Sequence, residues 1–439
     1  MTAVIPPRAA RVTLDAHIAR SPGAMVPAPN ATRLAGEHFA AATLFLFAGA
    51  LGLVWIAPEL AAGAYPSPHV AAVTHLFTLG WITMTIFGAL YQLLPVALGA
   101  PVCSTRAGHV SFWSFAPGVA CFAAGVAGGS TVLRHAGIAL VGFGVVLAVG
   151  NVAATLPKAR TRDATWAAIA LAITFLSSTL ALGAILLHNL QTGFIAAVRG
   201  RVLAVHLHVA IIGWALMMIV GVSHRLLPMF MLAHGANTRF TRPSLALLAA
   251  GVPVLATGII TQRVALGWTG IALIELGIAC FLQQVFAFHR VRVKRRLDVG
   301  VLFAAIALGF LAVSAVLGPI TFAAGADHVR LDTAYVTVGL LGGVVLFIVG
   351  FFYKIVPLLA WTARYRGRMG KERVPTVAET FSARVAHVQL VAMASAIALL
   401  GAGIGAGSTT MVRTGGVLFV VAVVLFVSQL GRVALGTPP

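Results

Sequence analysis

Acidic residues are scarce in this chain. Ten Asp and Glu stand against 30 Lys and Arg, and charged residues of both signs make up only 9% of 439. Water-soluble domains carry roughly a quarter charged residues, so an ordinary soluble globule is excluded. Cysteine is scarce as well. Cys103, Cys121 and Cys280 form no CxxC pair and no CxxCH sequence, which leaves disulfide frameworks, cysteine zinc sites and covalently attached haem without support. Residues 1–37 are rich in Pro, Ala and Arg and lack an apolar core of signal-peptide length. They read as a flexible cytoplasmic tail.

What fills the chain is hydrophobic, 60% of it. A spanning helix needs about 20 mostly apolar residues, because lipid offers backbone groups no partner outside the helix itself. Twelve such runs are predicted, at 38–57, 70–98, 110–130, 134–156, 164–187, 203–232, 243–262, 266–289, 299–322, 333–360, 384–406 and 411–436. The fold class is therefore an all-α polytopic membrane protein with the lipid bilayer as its surroundings. With the N-terminus inside, 22 of the 30 basic residues fall in inner segments and six in outer loops, while Arg225 and Lys354 lie inside helices. This positive-inside bias predicts cytoplasmic termini in a bacterial-type inner membrane. The basic residues are spread over six loops without aromatic interleaving, so no nucleic-acid partner is expected.

A repeat runs through the chain. In "THLFTLGWITMTIFGALYQLLP" (74–95), His75 precedes Trp81 by six residues and Pro95 by twenty. In "AVHLHVAIIGWALMMIVGVSHRLLP" (204–228), His208 stands the same distances before Trp214 and Pro228. Gly88 and Gly221 each lie seven before their proline. A third copy ends in Pro357 with Gly350 seven before it, has Lys354 where Gln92 and Arg225 stand, and carries Thr337 at the histidine position. The period is four helices, giving three pseudo-symmetric units at 38–156, 164–289 and 299–436 in one membrane domain, 38–436. Four is even, so the units enter the membrane in one orientation, the parallel-repeat plan. Helix packing and helix termination explain the glycines and prolines. They do not explain the histidines.

An ionisable side chain inside a span is costly and usually faces a partner in the bundle. Helices 2 and 6 run in the same direction, so His75 and His208 lie at one depth in the outer half of the membrane. Two imidazoles so placed suit the two axial positions of a haem iron. A carbonyl or hydroxyl partner for each ring is the competing account, favoured for a lone histidine and disfavoured for a repeated pair. Residues i and i+2 of a helix lie about 200° apart, so His206 and His208 point to nearly opposite faces and one helix can serve two sites. His224 and Arg225 lie five turns deeper and read as an interfacial, snorkelling pair.

The stretch "HLHVAIIGWALMMIVGVSHRLLPMF" resembles helix 10 of the haem-copper oxidase catalytic subunit, a family that includes the nitric oxide reductases. There an HxH pair holds a low-spin and a high-spin haem on opposite helix faces. The stretch with His75, closing in "LLPVALGAP", resembles the family's helix 2, which carries the other low-spin ligand. The resemblance covers the twelve-helix plan but only about 50 residues of sequence. It implies His75 and His208 as low-spin b-type haem ligands and His206 as ligand of a second haem, so one or two haems per chain. It fails for the copper site: the seventh helix, "PSLALLAAGVPVLATGII", has no histidine and the chain has no HH pair. Copper is not expected.

Haem propionates need cations, and Arg199 and Arg201, just ahead of His206, are the candidates for cofactor binding. The loop residues His69, Asp327, His328 and Asp332 are better read as solvated than as a metal site. The implied function is a membrane haem protein for electron transfer, or for redox chemistry or sensing of a diatomic gas such as NO or O2. Its electron donor would be a quinol or a separate redox protein. The competing class is a transporter or channel whose histidines line a path for protons, metal or haem.

Overall fold

The computed structural model describes residues 29–436 except 326. The expected tail lies outside the described residues as far as residue 28. All twelve spans are present: α1 (Pro29–Trp55), α2 (Pro68–Leu98), α3 (Thr105–Ala127), α4 (Thr131–Lys158), α5 (Ala164–Thr192), α6 (Ala196–Met231), α7 (Thr241–Thr261), α8 (Val264–Arg290), α9 (Val299–Ala324), α10 (Val329–Arg368), α11 (Ala383–Gly405) and α12 (Thr409–Leu435). Each is long and apolar enough to cross a membrane. No strand accompanies them among the described residues. The chain is an all-α, multi-pass membrane protein.

The start of the first span departs furthest from expectation, for a clear reason. Helix α1 begins at Pro29 and not at 38, because Leu34 and His38, one turn apart, are both fully buried. The repeated prolines do not end their helices at once. Pro95 and Pro228 sit in the last turn of α2 and α6, where few hydrogen bonds remain to lose, and α10 continues well past Pro357. Elsewhere the sequence marks the starts plainly. Ser67, Ser104, Ser130, Asp163, Asp298, Ser382 and Ser408 each accept a backbone N–H in the first turn of the helix they precede, as N-caps do.

In each unit the second helix is the innermost. The most apolar windows of α2, α6 and α10 are 67, 61 and 83% buried, more than those of any other span. Immediately after His75, His208 and Thr337 these helices widen into eight residues of π-helix, Leu76–Thr83, Val209–Leu216 and Val338–Val345. Such turns are rare and concentrate at functional sites. Each π segment lays a glycine against a phenylalanine from the first helix of its unit: Gly80 on Phe45, Gly213 on Phe175 and Gly342 on Phe310. A Cβ would come within 2.5, 2.7 and 2.6 Å of those phenylalanine side chains, so no larger residue fits without displacing the helix.

The repeat extends beyond the central helices. Gly118, Gly125, Gly137 and Gly144 of the α3–α4 hairpin recur 133 residues later as Gly251, Gly258, Gly270 and Gly277 of α7–α8. All eight lie against the facing helix, which lets paired backbones approach closely. Three residues before the repeated proline of each central helix a polar side chain ties back to the start of the unit's first helix. Gln92 Nε2 donates to the Ala31 carbonyl at 2.9 Å, Arg225 to Asp163 at 3.4 Å and Lys354 to Asp298 at 2.6 Å. Arg225 is thus a structural tie between α6 and α5.

Candidate functional site

Three interfaces between units meet around α2, α6 and α10, and the first holds the paired histidines. His75 of α2 faces His206 of α6 with ring centroids 6.4 Å apart and planes at 29°. The sequence pairs His75 with His208. The geometry departs from that pairing, because the units are arranged cyclically and the partner two residues earlier faces the preceding unit. His208 turns away, as its position two residues on requires, and meets the third unit. Its Nε2 lies 3.5 Å from the Tyr335 hydroxyl of α10. Tyr335 stands two before Thr337, as His206 stands two before His208. By the same register the third interface belongs to Thr337 and Val73, neither of which is a strong ligand.

The surroundings of His75 and His206 are built for the rings. His75 Nδ1 donates to the Ala71 carbonyl one turn back, at 2.7 Å, and His208 Nδ1 does the same to Ala204 at 2.8 Å. This bond fixes the tautomer and leaves Nε2 as the free lone pair. His206 Nδ1 is buried with no hydrogen-bond partner. Phe122 of α3 meets the His75 ring edge-on at 5.0 Å. Gly183 of α5 leaves room for His206, whose Cε1 would be 3.3 Å from a Cβ placed there. Deeper in the membrane, Trp214 Nε1 donates to Thr83 Oγ1 at 3.0 Å and ties α6 to α2 beneath the pair.

His208 lines the second interface, a cleft of about 330 Å³ among α6, α7, α8, α9 and α10. Ile and Leu form its largest group of lining residues, and Tyr65, Glu275, Thr321, Asp332 and Tyr335 join His208 as the polar ones. A smaller cavity sharing His208, Glu275 and Tyr335 adjoins it and includes Ser314.

The other sequence candidates are dispersed. Arg201 donates to the Ile260 carbonyl of α7 at 2.9 Å, and Arg199 makes no side-chain hydrogen bond among the described residues. His224 bonds Ser244 at 3.2 Å at the far end of α6. His69 bonds Glu59 at 2.7 Å and packs on Trp55, and His328 bonds the Ala324 carbonyl. Among the described residues no group of three or more His, Cys, Asp or Glu is placed to hold a metal ion. Beside His69, burial alone would raise the Glu59 carboxyl, but the Ser67 hydroxyl and the His69 ring outweigh it and hold it below its ordinary range. Burial first, and then Asp332 beside it, push the Tyr65 hydroxyl up.

Sequence reasoning missed Tyr335 and Glu275. Both had a signal: Tyr335 occupies the His206 position of the third copy, and Glu275 is a carboxylate in the middle of a span. No protein-family model matches the chain, and no curated protein matches it either. The resemblance to the haem-copper oxidases therefore rests on the chain's own residues.

Proposed function

We propose that this chain is a haem-binding electron-transfer protein of the membrane, in which His75 and His206 would hold one b-type haem. The observation that carries the reading is the spacing of the two rings. A metal bound about 2 Å from each imidazole nitrogen, with each ring centre about 1 Å further on, separates the centroids by about 6 Å. The observed separation is 6.4 Å. Two imidazoles without a third donor fall short of the protein ligands that zinc or copper takes. They complete the set for haem, whose macrocycle supplies the other four nitrogens. The absence of a CxxCH sequence makes the haem non-covalent.

When bound, the haem supplies one-electron redox chemistry. The chain's part is positional. The Ala71 carbonyl orients the His75 ring and raises its basicity, as such partners do for metal-ligating histidines. Gly183 keeps space beside His206, and the Trp214–Thr83 bond holds α6 against α2 at fixed spacing. His208 belongs to a different interface and is free for a second ligand. Electron exchange with a quinol or a separate redox protein, and reaction with a diatomic gas such as NO or O2, are the roles this reading favours.

A second reading has an observation of its own. The cleft beside His208 lies between two parallel repeats and holds a mid-span carboxylate, the place where repeat-built transporters bind their substrates. The optical spectrum of purified, full-length protein separates the two. A Soret band with reduced b-type α bands, carried by one or two haems per chain, supports the haem reading. A colourless protein after expression with ample haem overturns it.

A further inference from the structure

The cleft between the second and third units has a chemistry distinct from the paired histidines. It repeats the register of the first interface with different donors. Tyr335 stands where His206 stands, and Glu275 stands 133 residues after Gly142. A ligand-forming pair has become a set of hydrogen-bond acceptors around a carboxylate.

Glu275 is eleven residues into α8 and His208 twelve into α6, counted from span ends on the same side of the membrane. The two therefore lie at similar depth, and both line the cleft. Among the described residues Glu275 makes no hydrogen bond and no ion pair. A carboxylate in a membrane span is expensive and ordinarily marks a site with a partner. No Lys or Arg lines the cleft to serve as that partner, and a second carboxylate, Asp332, lies toward its mouth with Tyr65. No Lys or Arg side chain of the lining is thus placed to pair with either carboxyl group.

The neutral groups point the same way. His208 Nδ1 is committed to Ala204, so Nε2 is an acceptor. The Tyr335 hydroxyl at 3.5 Å is too distant to saturate it. Carboxylate, imidazole nitrogen and phenol oxygen make three acceptors, matching the three N–H donors of a primary ammonium. Tyr65, Tyr335 and Phe322 put aromatic side chains in the lining, a residue type that attracts cations. The Ile and Leu walls suit a hydrocarbon stem, and the volume of about 330 Å³ exceeds what a bare ion fills.

We propose that the cleft between units two and three binds a small organic ammonium ion, with Glu275 as its counter-ion. His208 Nε2 and the Tyr335 oxygen accept its remaining hydrogens, and Asp332 draws the cation in from the mouth. This site is independent of the haem ligands, because His208 and His206 point to opposite faces of α6.

The test is calorimetric titration of detergent-solubilised, full-length protein with n-butylammonium, alongside 1-butanol as the neutral isostere and sodium as the bare cation. The proposal expects saturable binding of n-butylammonium at least ten-fold tighter than either control. Glu275→Gln should weaken it at least ten-fold and leave the haem spectrum intact. Gly318→Leu, which fills the space beside Tyr335, should abolish it even if Glu275→Gln proves unstable. Equal binding of 1-butanol, preferential binding of sodium, no binding at all, or full affinity in a folded Glu275→Gln or Gly318→Leu protein would each overturn the proposal. A colourless protein that still binds n-butylammonium removes the haem reading and leaves this one standing.

Discussion

Trp214 of α6 donates its indole N–H to the hydroxyl of Thr83 of α2, 3.0 Å away and out of reach of water. The bond crosses between the first and second units just below the paired histidines, and the Thr83 hydroxyl itself donates a hydrogen bond to the Thr78 carbonyl. The two partners are not equivalent when removed. Thr83→Val leaves a buried indole N–H unsatisfied, a loss of about 1–3 kcal/mol. Trp214→Phe leaves a hydroxyl that still has Thr78. Thermal unfolding in detergent should show Thr83→Val destabilised without a change of core volume. Unchanged stability in Thr83→Val would show that the two helices are held together elsewhere.

Asp298 serves two ends of the third unit at once. It accepts from Lys354 at 2.6 Å and caps α9 through the Val301 N–H. Asp298→Ala loses the ion pair and a cap, the cap alone being about 1 kcal/mol. Lys354→Met keeps the cap and loses the ion pair together with the Lys354 contact on the Phe230 ring. The aspartate change should therefore lower the unfolding temperature more than the lysine change, and the reverse order would remove the capping role.

The Glu59–His69 contact makes a prediction about acid. The Glu59 carboxyl is held below its ordinary value of 4.5. A carboxyl lowered in the fold stabilises it above the ordinary value, and that contribution is lost as pH falls through the lowered one. Glu59 is partly exposed and its contribution correspondingly small. Glu59→Gln should lower the unfolding temperature slightly near neutrality, and the gap to the unaltered protein should close in acid below 4.5. A gap that widens in acid contradicts the linkage.

Gly183 sets the room beside His206. A Cβ there would sit 3.3 Å from the ring, and a branched side chain reaches into its place. Gly183→Leu should reduce haem content several-fold while leaving the folded fraction by gel filtration unchanged. Full haem content in that variant would place the haem elsewhere.

Much of this was legible in the sequence. Unbroken apolar runs specified the twelve spans, and the shared spacing of His75 with His208, Trp81 with Trp214 and Pro95 with Pro228 exposed the repeat. The same spacing placed the histidines at one depth. It also paired His75 with His208, whereas the ring that faces His75 is His206. The helical period puts His206 and His208 on opposite faces, but only the cyclic order of the units decides which face meets α2. The reach of α1 back to Pro29 was hidden because Leu34 and His38 sit in a polar, arginine-bearing stretch. Glu275 was passed over because a lone carboxylate in a span shows its neighbours only once α9 and α10 close around it.

Electron paramagnetic resonance of the oxidised protein tests the central claim most directly, comparing His75→Ala, His206→Ala and His208→Ala. The account predicts a low-spin bis-imidazole signal that disappears in the first two variants and survives in His208→Ala. Loss of that signal in His208→Ala with its survival in His206→Ala would contradict the pairing of His75 with His206.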